Sequence, residues 1–147
     1  MSKLFVVTKI LDFCYGHRLL HYKGKCQHPH GHNGRVEIVI ASSSLDERGI
    51  AYDFSDIKKK VKKFIDENLD HRMILHKDDP LVAWMKKNDE PVMILDVNPT
   101  AENIAKLIFE KTAELRFPVE AVRLWETPDS YAVYRKPEER GHVFAIS

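Results

Sequence analysis

The chain has 147 residues, the length of one domain able to bury a real core. Its 23 basic and 22 acidic residues leave a net charge of +1 with no basic stripe, which argues against a nucleic-acid partner. Its two cysteines exclude a disulfide scaffold, and no apolar run approaches the ~20 residues needed to cross a bilayer. The opening MSKLFVVTKILDF is a short apolar stretch broken by Lys9 and Asp12, unlike a signal peptide. A reduced, cytosolic protein with no membrane partner is expected, organised as one domain over residues 1–147.

Leu4 to Ile10 is β-branched and apolar and predicts a first strand. Val36, Ile38 and Ile40 alternate with Arg35, Glu37 and Val39, which predicts a second strand with one buried face. Gly49 marks a turn. From Asp53 the spacing of Phe54, Ile57, Val61, Phe64, Ile65 and Leu69 predicts a helix, capped by Asp53 or Ser55. The lysines Lys58, Lys59, Lys60, Lys62 and Lys63 fill its other face and read as a solvated surface. Pro80 opens a short helical turn that ends at Asn88-Asp89. Val92 to Leu95 reads as a short strand or extended piece. Thr100 is a plausible N-cap for a second long helix whose apolar stripe runs through Ile104, Ala105, Ile108, Phe109, Thr112 and Leu115. Val119–Trp125 and Tyr131–Tyr134 complete the set as two strands. The order β-β-α-α-β-β predicts an α+β domain: a four-stranded antiparallel sheet with two long helices on one face. Such a sheet has edges to cover, and oligomerisation is one way of covering them.

Chemistry concentrates in GKCQHPHGHNG, which crowds Cys26, His28, His30 and His32 before the second strand. On an extended chain alternate residues share a side, so His30 and His32 can face one point. A catalytic zinc site uses three protein ligands and keeps one position open. His17, at the end of the first strand, becomes the third candidate if the two strands pair. The competing reading is a polar loop of exposed histidines. His21 and His28 read as loop residues, and His76 and His142 carry no motif. Cys26 is either a fourth, closing ligand or a thiol base beside the metal. Cys14, amid apolar residues, reads as a small core residue. Asp70-His71 pairs a carboxylate with an imidazole, as a proton relay or as a charged helix terminus. Glu126, where a strand enters a turn, is either solvent-facing or placed to grip a ligand through paired N–H donors.

Six motifs occur in the order found in one family. They are Phe13-x-x-x-His17, Cys26-x-x-x-His30-Gly31-His32-Asn33, Asp53-Phe54, Leu69-Asp70-His71, Asn98-Pro99-Thr100-x-Glu102-Asn103 and Glu126-Thr127-Pro128. In this the chain resembles the 6-pyruvoyl-tetrahydropterin synthase family, which includes the 6-carboxy-tetrahydropterin synthases of queuosine biosynthesis. The resemblance implies a tunnelling fold (T-fold) and a homohexamer of two trimers with active sites at subunit interfaces. It implies zinc (Zn2+) on His17, His30 and His32, with Cys26 as general base. Asp70 with His71 would complete the relay, and Glu126 would anchor the pterin. The implied substrate is 7,8-dihydroneopterin triphosphate, a pterin triphosphate that loses triphosphate and, in the carboxy branch, acetaldehyde.

The three residues between Cys26 and His30 resemble the bacterial carboxy-forming branch, whereas animal pyruvoyl-forming enzymes carry a longer insertion there. Two features depart from the pattern. Gly34 stands where the family commonly has an aromatic residue, and Leu75–Glu90 is longer than in compact bacterial members.

Overall fold

The computed structural model describes residues 2–137; His142 lies outside them. Strands β1 (Phe5–His17) and β2 (His30–Ser42) pair antiparallel along their whole length, from Phe5 opposite Ser42 to His17 opposite His30. Both are longer than their apolar runs. β1 continues past Ile10 because Leu11, Phe13, Tyr15 and His17 keep the alternation going, each side chain buried. β5 (Val119–Thr127) pairs antiparallel with β2, and β6 (Ser130–Arg135) with β5.

The sheet has six strands and is mixed, in the order β4-β3-β1-β2-β5-β6, which corrects the four-stranded antiparallel expectation. β3 (Arg72–His76) lies parallel to the end of β1, Tyr15 opposite Arg72 and His17 opposite Ile74, and β4 (Val92–Leu95) lies parallel to β3. Parallel neighbours need a crossover; between β3 and β4 the long Leu75–Glu90 segment supplies it, carrying the short helix α2 (Leu81–Lys87). Met73-Ile74-Leu75 is too short an apolar run to register as a strand by itself. Pairing with the free edge of β1 recruits it.

Helices α1 (Phe54–Asn68) and α3 (Ala101–Glu114) start where their caps predict. Asp53 accepts from the Ser55 N–H at 2.8 Å and Thr100 from the Asn103 N–H at 3.1 Å, satisfying donors that a helix start leaves free. Ile57, Val61 and Ile65 of α1 and Ile104, Ala105 and Ile108 of α3 pack with Leu11, Phe13, Val36, Ile38, Ile40, Val122 and Leu124 in one buried cluster. Both long helices therefore cover one face of the sheet, as expected. The other face carries Val6, Ile10, Asp12 and Cys14, all exposed. Cys14 is thus not a core residue: its even-numbered place in β1 turns it away from the helices, where its Sγ–H donates to Asn33 Oδ1 at 3.0 Å. Among the described residues no helix is long and apolar enough to cross a membrane.

One ion pair ties the end of β1 to the crossover. Asp79, whose side chain is fully buried, accepts from Arg18 Nε at 2.7 Å and from Arg18 Nη2, and also from the Leu81 N–H at 2.8 Å as α2 begins. These bonds, the Arg18 guanidinium first, hold the Asp79 carboxyl below the usual aspartate range. The stabilisation is fully present above the ordinary aspartate value and is lost as pH falls through the lower folded value. Asp79→Asn is expected to cost about 1–3 kcal/mol in urea unfolding at neutral pH. The gap to wild type should close as the medium is acidified.

Candidate metal centre

The β1–β2 ladder sets His17 directly opposite His30 and Tyr15 opposite His32. Because their side chains share the helix-covered face, the imidazoles of His17, His30 and His32 converge, with ring centroids 4.5, 5.1 and 5.0 Å apart. Their ligand atoms all lie within 4.8 Å of one another, and the group is formed by these three residues, His17 buried and the others half-buried.

Each outer nitrogen bond follows from the chain around it. His17 Nδ1 donates to the Pro99 carbonyl at 2.6 Å, and His30 Nδ1 to the His28 carbonyl at 2.8 Å. A carbonyl can only accept, so both rings carry their proton on Nδ1 and present Nε2 as a lone pair. The Nε2 atoms of His17 and His32 are buried without a protein partner. Burial pushes the His17 imidazole below its ordinary pKa, helped by His30 and His32 and opposed by the Pro99 bond and the Glu126 charge. A neutral imidazole with a fixed tautomer, its free nitrogen buried beside two others, is what a cation requires. The three residues fit a metal ion.

Glu126 stands over the same point, its carboxylate oxygens 4.0 Å from His17 Nε2 and 3.7 Å from His32 Nε2. That is too far for a hydrogen bond and close enough to share a ligand with the centre. Cys26 occupies a 3-10 turn, Lys25–Gln27, half-buried. Its carbonyl accepts from the Leu19 N–H at 2.8 Å, which holds the turn against the residues that follow His17.

Asp70 and His71 are joined, Nδ1 to Oδ2 at 2.8 Å. They sit against β1 at Cys14: Asp70 Oδ1 accepts from the Cys14 N–H at 2.9 Å, and the His71 N–H donates to the Cys14 carbonyl at 2.7 Å. Burial raises the Asp70 carboxyl, but the Cys14 and His71 bonds outweigh it and leave the pKa below the ordinary value, so Asp70 stays ionised. His71, with its backbone at φ 57° and its side chain largely exposed, helps to line a cleft of about 840 Å³. The cleft walls include Cys14, Asn33, Arg35, Glu37 and Trp125, residues that project from the face opposite to Tyr15, His17 and His32. Among the described residues Cys26 makes no hydrogen bond with the pair. One chain thus brings the three histidines and Glu126 together, with Asp70–His71 bonded to β1 at Cys14, and His71 also lines a second cavity with His30 and His32.

Sequence reasoning missed the support shell. Asn98 clamps the backbone of Leu20 twice, accepting from its N–H at 2.8 Å and donating to its carbonyl at 2.9 Å, and Asn103 holds the Asn98 carbonyl at 2.9 Å. The Asn-Pro-Thr signal reads as a helix start, which it is. Its second task, bracing His17, depends on a contact 82 positions apart in the chain.

An α+β fold with a braced three-histidine centre under a carboxylate is a frame able to hold a metal ion. A profile of the 6-pyruvoyl tetrahydropterin synthase family matches residues 6–137, and the chain belongs to that family. It is 40% identical to a protein of Rickettsia conorii named 6-carboxy-5,6,7,8-tetrahydropterin synthase, over 84% of this chain and 95% of the relative. A Haemophilus influenzae protein of the same name is 30% identical over 90% of this chain and all of its own. Among solved structures, the Caenorhabditis elegans 6-pyruvoyl tetrahydropterin synthase superposes with a TM-score of 0.67 at 25% identity, covering 93% of this chain and 100% of its own. An uncharacterized Wolinella succinogenes protein superposes at 0.75 with 28% identity, covering 90% and 98%.

His30→Ala is expected to abolish stoichiometric metal binding, measured by elemental analysis after dialysis against a weak chelator. Pro99 offers only its carbonyl, so Pro99→Ala should retain the metal.

Proposed function

We propose that the protein is a zinc-dependent 6-carboxy-5,6,7,8-tetrahydropterin synthase, a lyase that converts 7,8-dihydroneopterin triphosphate with release of triphosphate and acetaldehyde. The observation that carries this reading is the convergence of three imidazoles, two with partnerless buried Nε2 atoms, beneath the Glu126 carboxylate. Neutral nitrogen donors in a set of three, with room for one more ligand, suit zinc. Relatives named for the carboxy reaction at 40% and 30% identity, and the short spacing from Cys26 to His30, favour that branch over the pyruvoyl reaction.

In this reading Glu126 accepts two N–H bonds from the amino-pyrimidinone edge of the pterin, a charge-assisted pair that fixes the ring's orientation. Zinc, when bound, supplies a Lewis acid for the side-chain oxygens of the substrate. Cys26 takes the proton from the side-chain carbon, its turn set beside the ligand histidines by the Leu19–Cys26 bond. Asp70 keeps the Nδ1 proton of His71 in place, which leaves His71 Nε2 to receive and return protons. Since Asp70 and His71 make no hydrogen bond with Cys26 of their own chain among the described residues, the relay is completed by another copy. Two sheet edges, β4 and β6, and the exposed Val6, Ile10 and Tyr131 give such copies surfaces to meet. A homohexamer of two trimers satisfies this requirement.

Incubation with dihydroneopterin triphosphate should yield acetaldehyde in step with triphosphate; turnover without acetaldehyde assigns the protein to the pyruvoyl branch instead. Cys26→Ala should retain zinc and lose about 10²–10⁴-fold in kcat, and full activity in that variant would remove the thiol from the mechanism.

A further inference from the structure

Among the described residues four buried side-chain atoms lack a partner, and three of them lie together: His17 Nε2, His32 Nε2 and the hydroxyl of Tyr15. The first two are accounted for by a cation. Tyr15 is not. It is 3% exposed, its ring 5.3 Å from that of His17, edge-on, and 5.7 Å from that of His32. Its direction is set by Gly34. A Cβ added at Gly34 would come within 2.9 Å of Tyr15 Cε1 and 3.4 Å of Cδ1, so the ring lies across that glycine. Arg35 opposes Trp125 on β5, so the β5 position next to Gly34 belongs to Glu126. The Tyr15 ring therefore crosses β2 towards the carboxylate that overhangs the metal centre.

A phenylalanine would fill the same space without stranding a hydroxyl, and a buried polar group with no partner is destabilising. A phenol hydroxyl, with an ordinary pKa of about 10, is a neutral donor at neutral pH. Glu126 can only accept. A heterocycle held by that carboxylate through its N–H groups still has ring-nitrogen and carbonyl acceptors to satisfy.

We propose that the Tyr15 hydroxyl is a ligand-binding donor of this site, hydrogen-bonding to a heterocycle acceptor between Glu126 and the metal centre, and that Gly34 is the clearance that admits its ring. The proposal rests on reading the site as a pterin pocket. The test is fluorescence titration of the zinc-loaded oligomer with neopterin, an unreactive pterin lacking the triphosphate, beside zinc content and thermal unfolding. Tyr15→Phe is expected to keep its zinc and melt no lower than wild type, while binding neopterin about five- to tenfold more weakly. Gly34→Ala, which displaces the ring, should weaken binding similarly with zinc retained. Unchanged neopterin affinity in Tyr15→Phe, with binding lost in Glu126→Gln, overturns this proposal and leaves the pterin reading standing. Loss of zinc in Tyr15→Phe would overturn it too, by showing the hydroxyl to serve the metal centre instead. Failure of wild type to bind neopterin removes the pterin reading, and the Tyr15 assignment falls with it.

Discussion

The register of one antiparallel ladder governs the site. With His17 opposite His30 and Tyr15 opposite His32, three imidazoles from two strands share one face and one point. A one-residue slip of β2 would carry His30 and His32 to the other side of the sheet. Such a slip is opposed along the whole strand. Val36, Ile38 and Ile40 are fully buried against Leu11 and Phe13, and all three would have to turn away from the core. Burying an aliphatic side chain is worth roughly 1.5–3 kcal/mol. The apolar half of the ladder thus fixes the geometry of its polar end.

The same economy appears at the start of α3. Thr100 caps the helix, the Pro99 carbonyl accepts a hydrogen bond from the Nδ1–H of His17, and Asn98 clasps the backbone beyond it. Folding of α3 against the sheet therefore also selects the tautomer that a metal needs. Stability and ligand chemistry meet in three consecutive residues, and a change there would be felt in both. On the far side, the Arg18–Asp79 pair fastens the residue next to His17 to the crossover that carries α2. The long Leu75–Glu90 segment is in this sense part of the frame of the site, linking β3 to β4 beside the end of β1.

The sheet divides its chemistry between two faces. The three clustered histidines, Tyr15 and Glu126 lie on the helix side, while Cys14, Asn33 and Trp125 face the cleft that includes His71. Period-two alternation forces this division, because neighbouring residues on a strand cannot share a face. In the proposed function a second copy of the chain completes the relay, which gives assembly a chemical role as well as a way of covering strand edges.

Much was readable before any coordinates. The helix starts at Asp53 and Thr100, both hairpin strands near the C-terminus and the convergence of His17 with the His-x-His pair follow from caps, periodicity and strand alternation. Other features were not. Arg72–His76 became a strand because the edge of β1 was free to pair with it, and Cys14 lies outside the core because of its parity in β1. The Pro99 bond to His17 and the Tyr15 ring over Gly34 join residues distant in sequence or on different strands. A chain's local pattern determines what each segment can be, since capping and periodicity act over a few residues. Which segments become neighbours is decided by packing the whole sheet, and it is there that the second shell of the site arises.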